Sequence, residues 1–458
     1  MMGSMTPSSG ISRRQFLRRS AAAGLLASTY KAWSLEGSGG RYRTALIGSG
    51  WWGNNILGEA MASGQCRIVG VCDVDRRLMD PTIERVEKEM GEKPKGYQDY
   101  RELLAELKPD VCIVASPDHW HPLQTIDAVK AGAHVYVEKP IGHTIQEGRA
   151  MVNAARATGK VVQVGTHRRV SPHCVAARDF VRSGRLGKVG MVRAFVHYGG
   201  DGPERPRKNT EPPKELDWNM WCGPAPMRPY NGDPSNPWGG GIHPRGFRSY
   251  LDYANGTLGD WGIHWMDQIL WIMERKSPEQ VYSTGGRPIL GPPVLNDEEQ
   301  TSDAPDHQIA SFKFDGFDAC WEHRRFSANN AEKGENVGCY FYGTEGTLHV
   351  GWHSGTVFYP TDSKKEVLRI DAQLHEPDQQ NIKEVWSDLM ECIKTGRRPI
   401  CDIEEVHRST NMSLLGMLSY KLGRSLQWDG VKERVVGDDQ ANGMLRREYR
   451  KGWVYPAV

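Results

Sequence analysis

No stretch after the first thirty residues of this 458-residue chain is long and apolar enough to cross a bilayer, which excludes a protein built on spanning helices. Neither sign of charge dominates, since 58 Lys and Arg stand against 56 Asp and Glu for a formal +2. Five basic and no acidic residues precede Ser34, so out of that +2 the rest of the chain carries −3. Such a body offers no basic field to nucleic acid. The nine cysteines cannot all pair, and none falls in a CxxC spacing, which argues against a zinc knuckle or a redox pair. Cys66, Cys72 and Cys112 sit in or beside apolar runs, where cysteine usually behaves as a small hydrophobe. Internal repeats and low-complexity tracts are missing too. What remains is a chain that is 38% apolar, with room for two domains.

The first feature present is an address. Ser12-Arg13-Arg14-Gln15-Phe16-Leu17-Arg18-Arg19 is a twin-arginine pattern, followed by the brief apolar run Ala21 to Ala27. A basic region before a short apolar stretch reads as an export signal, here one that takes folded proteins to the periplasm. A basic tail and a retained anchor are the competing readings. Cleavage is poorly marked between Ser28 and Gly40, so residues 1–40 are assigned as signal and linker.

Residues 41–165 alternate apolar runs with amphipathic helical patterns. The runs are Thr44 to Ile47, Arg67 to Asp73, Val111 to Ala115 and His134 to Val137; helical patterns include Asp99 to Leu107 and Pro122 to Ala131. This predicts a doubly wound parallel sheet covered on both faces, an α/β Rossmann domain. Gly48-Ser49-Gly50-Trp51-Trp52-Gly53 follows the first run as G-x-G-x-x-G, and Asp73 lies 20 residues beyond Gly53. That spacing brings a carboxylate to the adenosine ribose while the pyrophosphate rests on the helix N-terminus. Asp73 would repel a 2′-phosphate, which favours NAD; Arg76 and Arg77 keep NADP open. Ser116-Pro117-Asp118-His119-Trp120-His121 follows the third run. His119 and His121 are only two apart with no third ligand in sight, so a loop beside the cofactor, with Pro117 and His121 facing it, is the better account than a metal site.

The fourth run leads into Glu138-Lys139-Pro140. With Val164-Gly165-Thr166-His167-Arg168-Arg169 and Gly259-Asp260-Trp261-Gly262-Ile263-His264-Trp265-Met266-Asp267, and Tyr342-Gly343-Thr344-Glu345-Gly346-Thr347 further on, the chain resembles the glucose–fructose oxidoreductase and inositol dehydrogenase family, Gfo/Idh/MocA. The resemblance implies that Lys139, Asp260 and His264 face the nicotinamide and a bound polyol as catalytic residues. It also places Glu138 beside the cofactor, and His167, Arg168 and Arg245 are candidate substrate contacts. Where many relatives carry glutamine this chain has His167. The chemistry agrees. Oxidising an alcohol removes a hydride from carbon and a proton from oxygen, so a positioned base is needed. A partly desolvated lysine beside a positively charged nicotinamide is suited to accept that proton, and a histidine could equally serve as the acid–base group. Asp260 and His264, four apart, would share one helix face.

Residues 166–400 change to longer, alternating strands: Val189 to Tyr198, Gln308 to Phe314, Ala319 to Phe326 and Cys339 to Tyr342. They predict an α+β domain with an open, mostly antiparallel sheet and helices on one face. In the family that sheet is also an oligomer surface. A long loop, 199–255, holds Trp218, Trp221, Trp238, His243, Arg245, Phe247 and Arg248, a mixture suited to a sugar. It reads equally as a substrate lid or a subunit-contact arm. Residues 401–458 carry an amphipathic helix, Glu404 to Leu422, and a polar tail.

The expectation is an NAD(P)-dependent oxidoreductase acting on a sugar or polyol hydroxyl, forming a homo-oligomer. An exported enzyme meets no free nicotinamide pool, so its cofactor should stay bound. Trp51 and Trp52 either cover the dinucleotide or pack against the second domain. A trapped cofactor also suits an alternative, a glycoside hydrolase or lyase working by transient oxidation and elimination; a non-catalytic binder of nucleotide and sugar is a third.

Overall fold

The computed structural model describes residues 40–200, 202–376 and 379–457. The twin-arginine pattern and its apolar run lie outside the described residues. From Tyr42 onward, β1 (Tyr42–Ile47), α1 (Trp51–Ala62), β2 (Cys66–Cys72), α2 (Arg76–Met90), β3 (Lys95–Tyr97), α3 (Tyr100–Leu107), β4 (Val111–Val114), α4 (His121–Lys130), β5 (His134–Val137), α5 (Ile145–Thr158) and β6 (Val162–Val164) alternate. The six strands form one parallel sheet in the order β3-β2-β1-β4-β5-β6. Every residue of β4 is buried, as a strand covered on both faces requires. Strand order reverses between β1 and β4, and such a reversal opens a crevice at the carboxyl ends of the strands. The edge strands β3 and β6 have three residues each, too short to show as apolar runs.

The second half contributes α6 (Pro172–Arg182), β7 (Val189–His197), α7 (Gly256–Asp260), α8 (Gly262–Ile272), β8 (Gln280–Gly286), β9 (His307–Phe314), β10 (Phe317–Arg324), β11 (Val337–Gly343), β12 (Gly346–Gly351), β13 (Thr356–Pro360), β14 (Leu368–Ile370), α9 (Ile382–Thr395), α10 (Ile403–Leu422), β15 (Leu426–Asp429) and β16 (Arg434–Val435). Its sheet runs β14-β13-β12-β11-β7-β10-β9-β8-β15-β16. Only β7 and β10 pair in parallel. In β9, Gln308, Ala310, Phe312 and Phe314 are buried while Ile309, Ser311 and Lys313 are exposed. The buried row packs on α6, α8 and α10 through Phe180, Ile269 and Leu415. The other face carries no helix among the described residues. A doubly wound parallel sheet and a mostly antiparallel α+β unit are thus the two architectures present.

The chain then returns to the first sheet. Ile382, Trp386 and Leu389 of α9 share a core with Leu46, Ile56 and Tyr136. Cys401, Ile403 and Val406 join Val135 and Val162, and the Val164 N–H donates to the Cys401 carbonyl at 3.0 Å. Eight of the nine cysteines are buried and Cys320 is half-buried, all as free thiols.

Candidate active site

The turn after β1 is built by glycine geometry. Gly48 has φ +93°, and a Cβ there would come within 2.7 Å of the Ala115–Ser116 backbone. A Cβ on Gly53 would lie 2.0 Å from the Gly48 carbonyl oxygen, so helix and strand pack this closely only with hydrogen at both positions. Gly50 differs: nothing lies within 4 Å of its would-be Cβ, and it lines a cleft of about 410 Å³. Gly50 caps α1 without any side-chain hydrogen bond, which leaves the first-turn N–H groups for an anion. Asp73 is fixed beside this turn. Its Oδ2 accepts from Ser49 N (2.7 Å) and Ser49 Oγ (3.0 Å), and its Oδ1 accepts from Asp75 N (3.0 Å). Burial pushes this carboxyl up, opposed by those N–H groups and His243. Oδ2 is filled by its two Ser49 bonds but Oδ1 keeps a lone pair, so a ribose hydroxyl can be received without breaking the turn. The cradle therefore fits a dinucleotide.

At the other end of the cleft Lys139 Nζ donates to Asp260 Oδ1 (2.7 Å) and to the Asp260 carbonyl (3.0 Å). Arg248 Nε donates to the same carboxylate at 3.1 Å. Burial would push the Asp260 carboxyl up, but Lys139 and Arg248 outweigh it and hold it at about 2. His264 lies on the same wall, kept well below the usual histidine range by burial, then by Lys139, with His167 and Arg168 adding to the effect. The site thus joins a charge-paired lysine to an uncharged imidazole. Asp260 and His264 do not share one continuous helix, as their spacing predicts: α7 ends at Asp260, Trp261 breaks the turn, and His264 belongs to α8. Both still line the cleft. Glu138 is buried below Lys139 and accepts from Tyr136 Oη (3.2 Å) and Lys139 N (3.1 Å). A Cβ on Gly165 would lie 2.2 Å from Glu138 Oε1, so that glycine makes room for it.

Pro117 and His121 line the cleft at the end of β4, and His121 ring nitrogens lie 2.7 Å from the Ser116 and Pro140 carbonyls, tying two loops together. His119 turns away, its Nε2 3.0 Å from the Trp221 carbonyl. The neighbouring Asp118, which in the sequence suggests only a part in the discounted metal reading, has a place of its own here. It lines the cleft, is 5% exposed, and its Oδ2 has no hydrogen-bond partner. Burial raises its carboxyl to about 7, with Arg248 opposing and Asp260 adding to the rise.

The two adjacent tryptophans divide. Trp52 joins an inner wall in which ring centroids follow at 6.0 Å to His167, 5.1 Å from His167 to His264, and 5.0 Å from His264 to Trp352. His167 lines the cleft within that wall. Trp51 is 49% exposed at the mouth, and the Arg245 guanidinium lies 5.2 Å from its ring. Two expected contacts lie off the cleft surface. Gly53 supports the turn from behind. Arg168 is buried with its guanidinium 3.6 Å from the Trp352 ring, so it backs the wall instead of lining it. The next residue, Arg169, makes a bidentate pair with Asp267 at 2.8 Å, locking the T-H-R-R stretch to α8. Trp352 and Trp261 also line the site. No local pattern in the sequence marks Trp352, which arrives from the end of β12.

The long loop has its own small core, with Trp218 and Trp221 stacked at 4.5 Å against Tyr230 and Tyr253. From that core Trp238, His243, Arg245, Phe247 and Arg248 reach the cleft.

Comparison with known proteins agrees with this architecture. Residues 42–166 match the family described as an oxidoreductase family, NAD-binding Rossmann fold, and residues 196–286 and 304–455 match the C-terminal alpha/beta domain of the same family. A Glycosyl hydrolase family 109 protein 2 of Akkermansia muciniphila is 30% identical over 184 residues, 37% of this chain and 39% of that protein. The D-glucoside 3-dehydrogenase of Escherichia coli K12 is 32% identical over 157 residues, 33% of this chain and 42% of that protein. The matches thus span about two fifths of these curated relatives. Among solved structures, a levoglucosan dehydrogenase in complex with NADH has a TM-score of 0.63 at 18% identity, covering 84% of this chain and 99% of its own. The WlbA dehydrogenase from Bordetella pertussis, in complex with NADH and UDP-GlcNAcA, has 0.60 at 18%, covering 85% and 99%.

Proposed function

Because the chain belongs to the Gfo/Idh/MocA oxidoreductase family, we propose that it is an NAD-dependent enzyme oxidising or reducing one hydroxyl-bearing carbon of a sugar or polyol. The observation that carries this reading is the Lys139–Asp260 pair at 2.7 Å, sharing one cleft with His264 and with the glycine cradle. Gly48, Gly50 and the first turn of α1 would hold the pyrophosphate, and Asp73 the ribose. NAD, when bound, supplies the hydride acceptor. The Lys139 ammonium, aligned by Asp260, donates a hydrogen bond to the substrate oxygen and stabilises the charge that grows there. His264, uncharged, takes the hydroxyl proton at its imidazole. Trp52, His167 and Trp352 exclude water from that end.

NAD is preferred to NADP. Arg77 is spent on Asp75, donating from Nε at 2.9 Å, and on the Pro234 carbonyl at 2.9 Å, so a 2′-phosphate would meet Asp73 and Asp75 without it.

The second reading, a glycosidase that oxidises transiently and eliminates, is favoured by the glycosyl hydrolase names among the relatives. Incubating purified protein with alkyl glycosides and free sugars, without added NAD, separates the two. A ketone, with matching reduction of bound NAD, supports the dehydrogenase; a released aglycone with no net change in bound NAD favours the second reading. Neither product, from protein that carries NAD, would leave only a binder.

We propose further that the chain is exported by the twin-arginine route to the periplasm, on the strength of Arg13-Arg14 and the run that follows. A homo-oligomer through the helix-free sheet face is supported by Met191, Tyr282 and Ile309, each more than two fifths exposed there.

A further inference from the structure

We propose that the tip of the long loop, residues 234–248, is a clasp on the dinucleotide itself, with Arg245 closing on the pyrophosphate. This deepens the NAD-dependent reading and rests on it. The loop is anchored at the adenosine end of the cleft. His243 Nε2 lies 3.0 Å from Asp75 Oδ2, both side chains being almost wholly buried. Arg77, bidentate on the same Asp75, donates through Nη1 to the Pro234 carbonyl. Asp75 is two residues from Asp73, so the anchor grips the corner that presents the ribose carboxylate.

The other end of the tip is tied to the reacting end of the cleft. Arg248 Nε donates to Asp260 Oδ1 and its Nη1 donates to the Arg245 carbonyl at 3.2 Å. The segment therefore bridges the cleft along its length. Arg245 sits midway. Its guanidinium rides over Trp51, the first residue of α1, and it makes no ion pair among the described residues. Arg245 is exposed and lines the same cleft as Gly50, at whose uncapped helix N-terminus phosphate oxygens would rest. Its planar fork suits two such oxygens at once. Trp238, 48% exposed while lining the cleft, makes no ring-stacking or cation–π contact among the described residues. Substrate-lid and subunit-arm readings leave unexplained why the anchor is at Asp75, on the nucleotide side.

Release of NAD then requires the tip to lift, which breaks the His243–Asp75 contact and the Arg245 contact together. The test loads the full-length protein with radiolabelled NAD, adds excess unlabelled NAD, and follows loss of label after desalting. Arg245→Ala is expected to release NAD roughly ten- to a hundredfold faster than wild type, the span for losing one charge-assisted contact. Arg245→Lys should fall between them. His243→Ala should also speed release, with its melting temperature recorded to separate loosening from unfolding. Release at the wild-type rate from folded Arg245→Ala would overturn the clasp. So would an unchanged release rate with a raised KM for an acidic sugar, which would make Arg245 a substrate contact. Wild-type protein that takes up no NAD would instead overturn the NAD-dependent reading beneath it.

Discussion

Gly50 and Gly53 occupy one turn yet should fail differently when given a methyl group. Gly50 has φ −64° and ψ −178°, open to alanine, and its new Cβ would meet no atom within 4 Å. Losing glycine from a helix N-cap costs about 0.5–1 kcal/mol. Reduced freedom of the unfolded chain returns about 0.4–1 kcal/mol. The two nearly offset, so the ligand-free Gly50→Ala protein should melt within about 4 °C of wild type. The methyl would nevertheless project into the cleft where phosphate oxygens approach the backbone. Overpacking of about 1–3 kcal/mol there weakens NAD binding about 5- to 150-fold. In Gly53→Ala the Cβ meets the Gly48 carbonyl oxygen at 2.0 Å, a backbone atom that cannot swing aside. That variant should lose about 1–3 kcal/mol of stability without ligand and melt several degrees lower. Calorimetric melting of stripped protein and titration with NAD read both quantities. Gly50→Ala binding NAD as wild type does, with an unchanged melting temperature, would refute the cradle assignment.

Three further outcomes are expected. Lys139→Met should keep bound NAD while turnover falls about 10²- to 10⁴-fold, measured by nucleotide content against sugar-dependent NADH absorbance. Asp118 has its folded carboxyl raised to about 7 from an ordinary 3.8, so stability is fully present below pH 3.8 and is lost as pH rises through about 7. Asp118→Asn removes that cost, up to about 4 kcal/mol, and should gain melting temperature on wild type at pH 8 but little at pH 4, an equal gain at both being the refuting result. Arg169→Met strands Asp267 as a buried charge bonded only to Ser409 Oγ among side chains, and should cost about 3–5 kcal/mol in urea unfolding.

The glycine fingerprint, the strand-and-helix alternation and the E-K-P and D-x-G-x-H stretches were legible from the chain alone. Each is a local constraint: a turn that rejects a Cβ, a strand buried on both faces, a side chain at a fixed strand end. Asp118 stands inside the S-P-D-H-W-H stretch, yet its surroundings include Arg248 and Asp260 from the second half, which no local pattern announces. The break at Trp261 was hidden because i, i+4 spacing says nothing of where one helix ends and another begins. Arg168 sat beside two functional positions and turned to the far side of Trp352, a residue 184 positions away in the chain.

The amino-acid order by itself determined the parallel sheet, the dinucleotide cradle and the identity of the lysine, aspartate and histidine set against each other. Only tertiary structure decided that Trp51 guards the mouth while Trp52 lines the inner wall. It alone decided that α9 closes the first sheet and that a loop from the second half grips Asp75. These choices are made by residues hundreds of positions apart competing for the same buried space, and no periodicity along the chain records which of them wins.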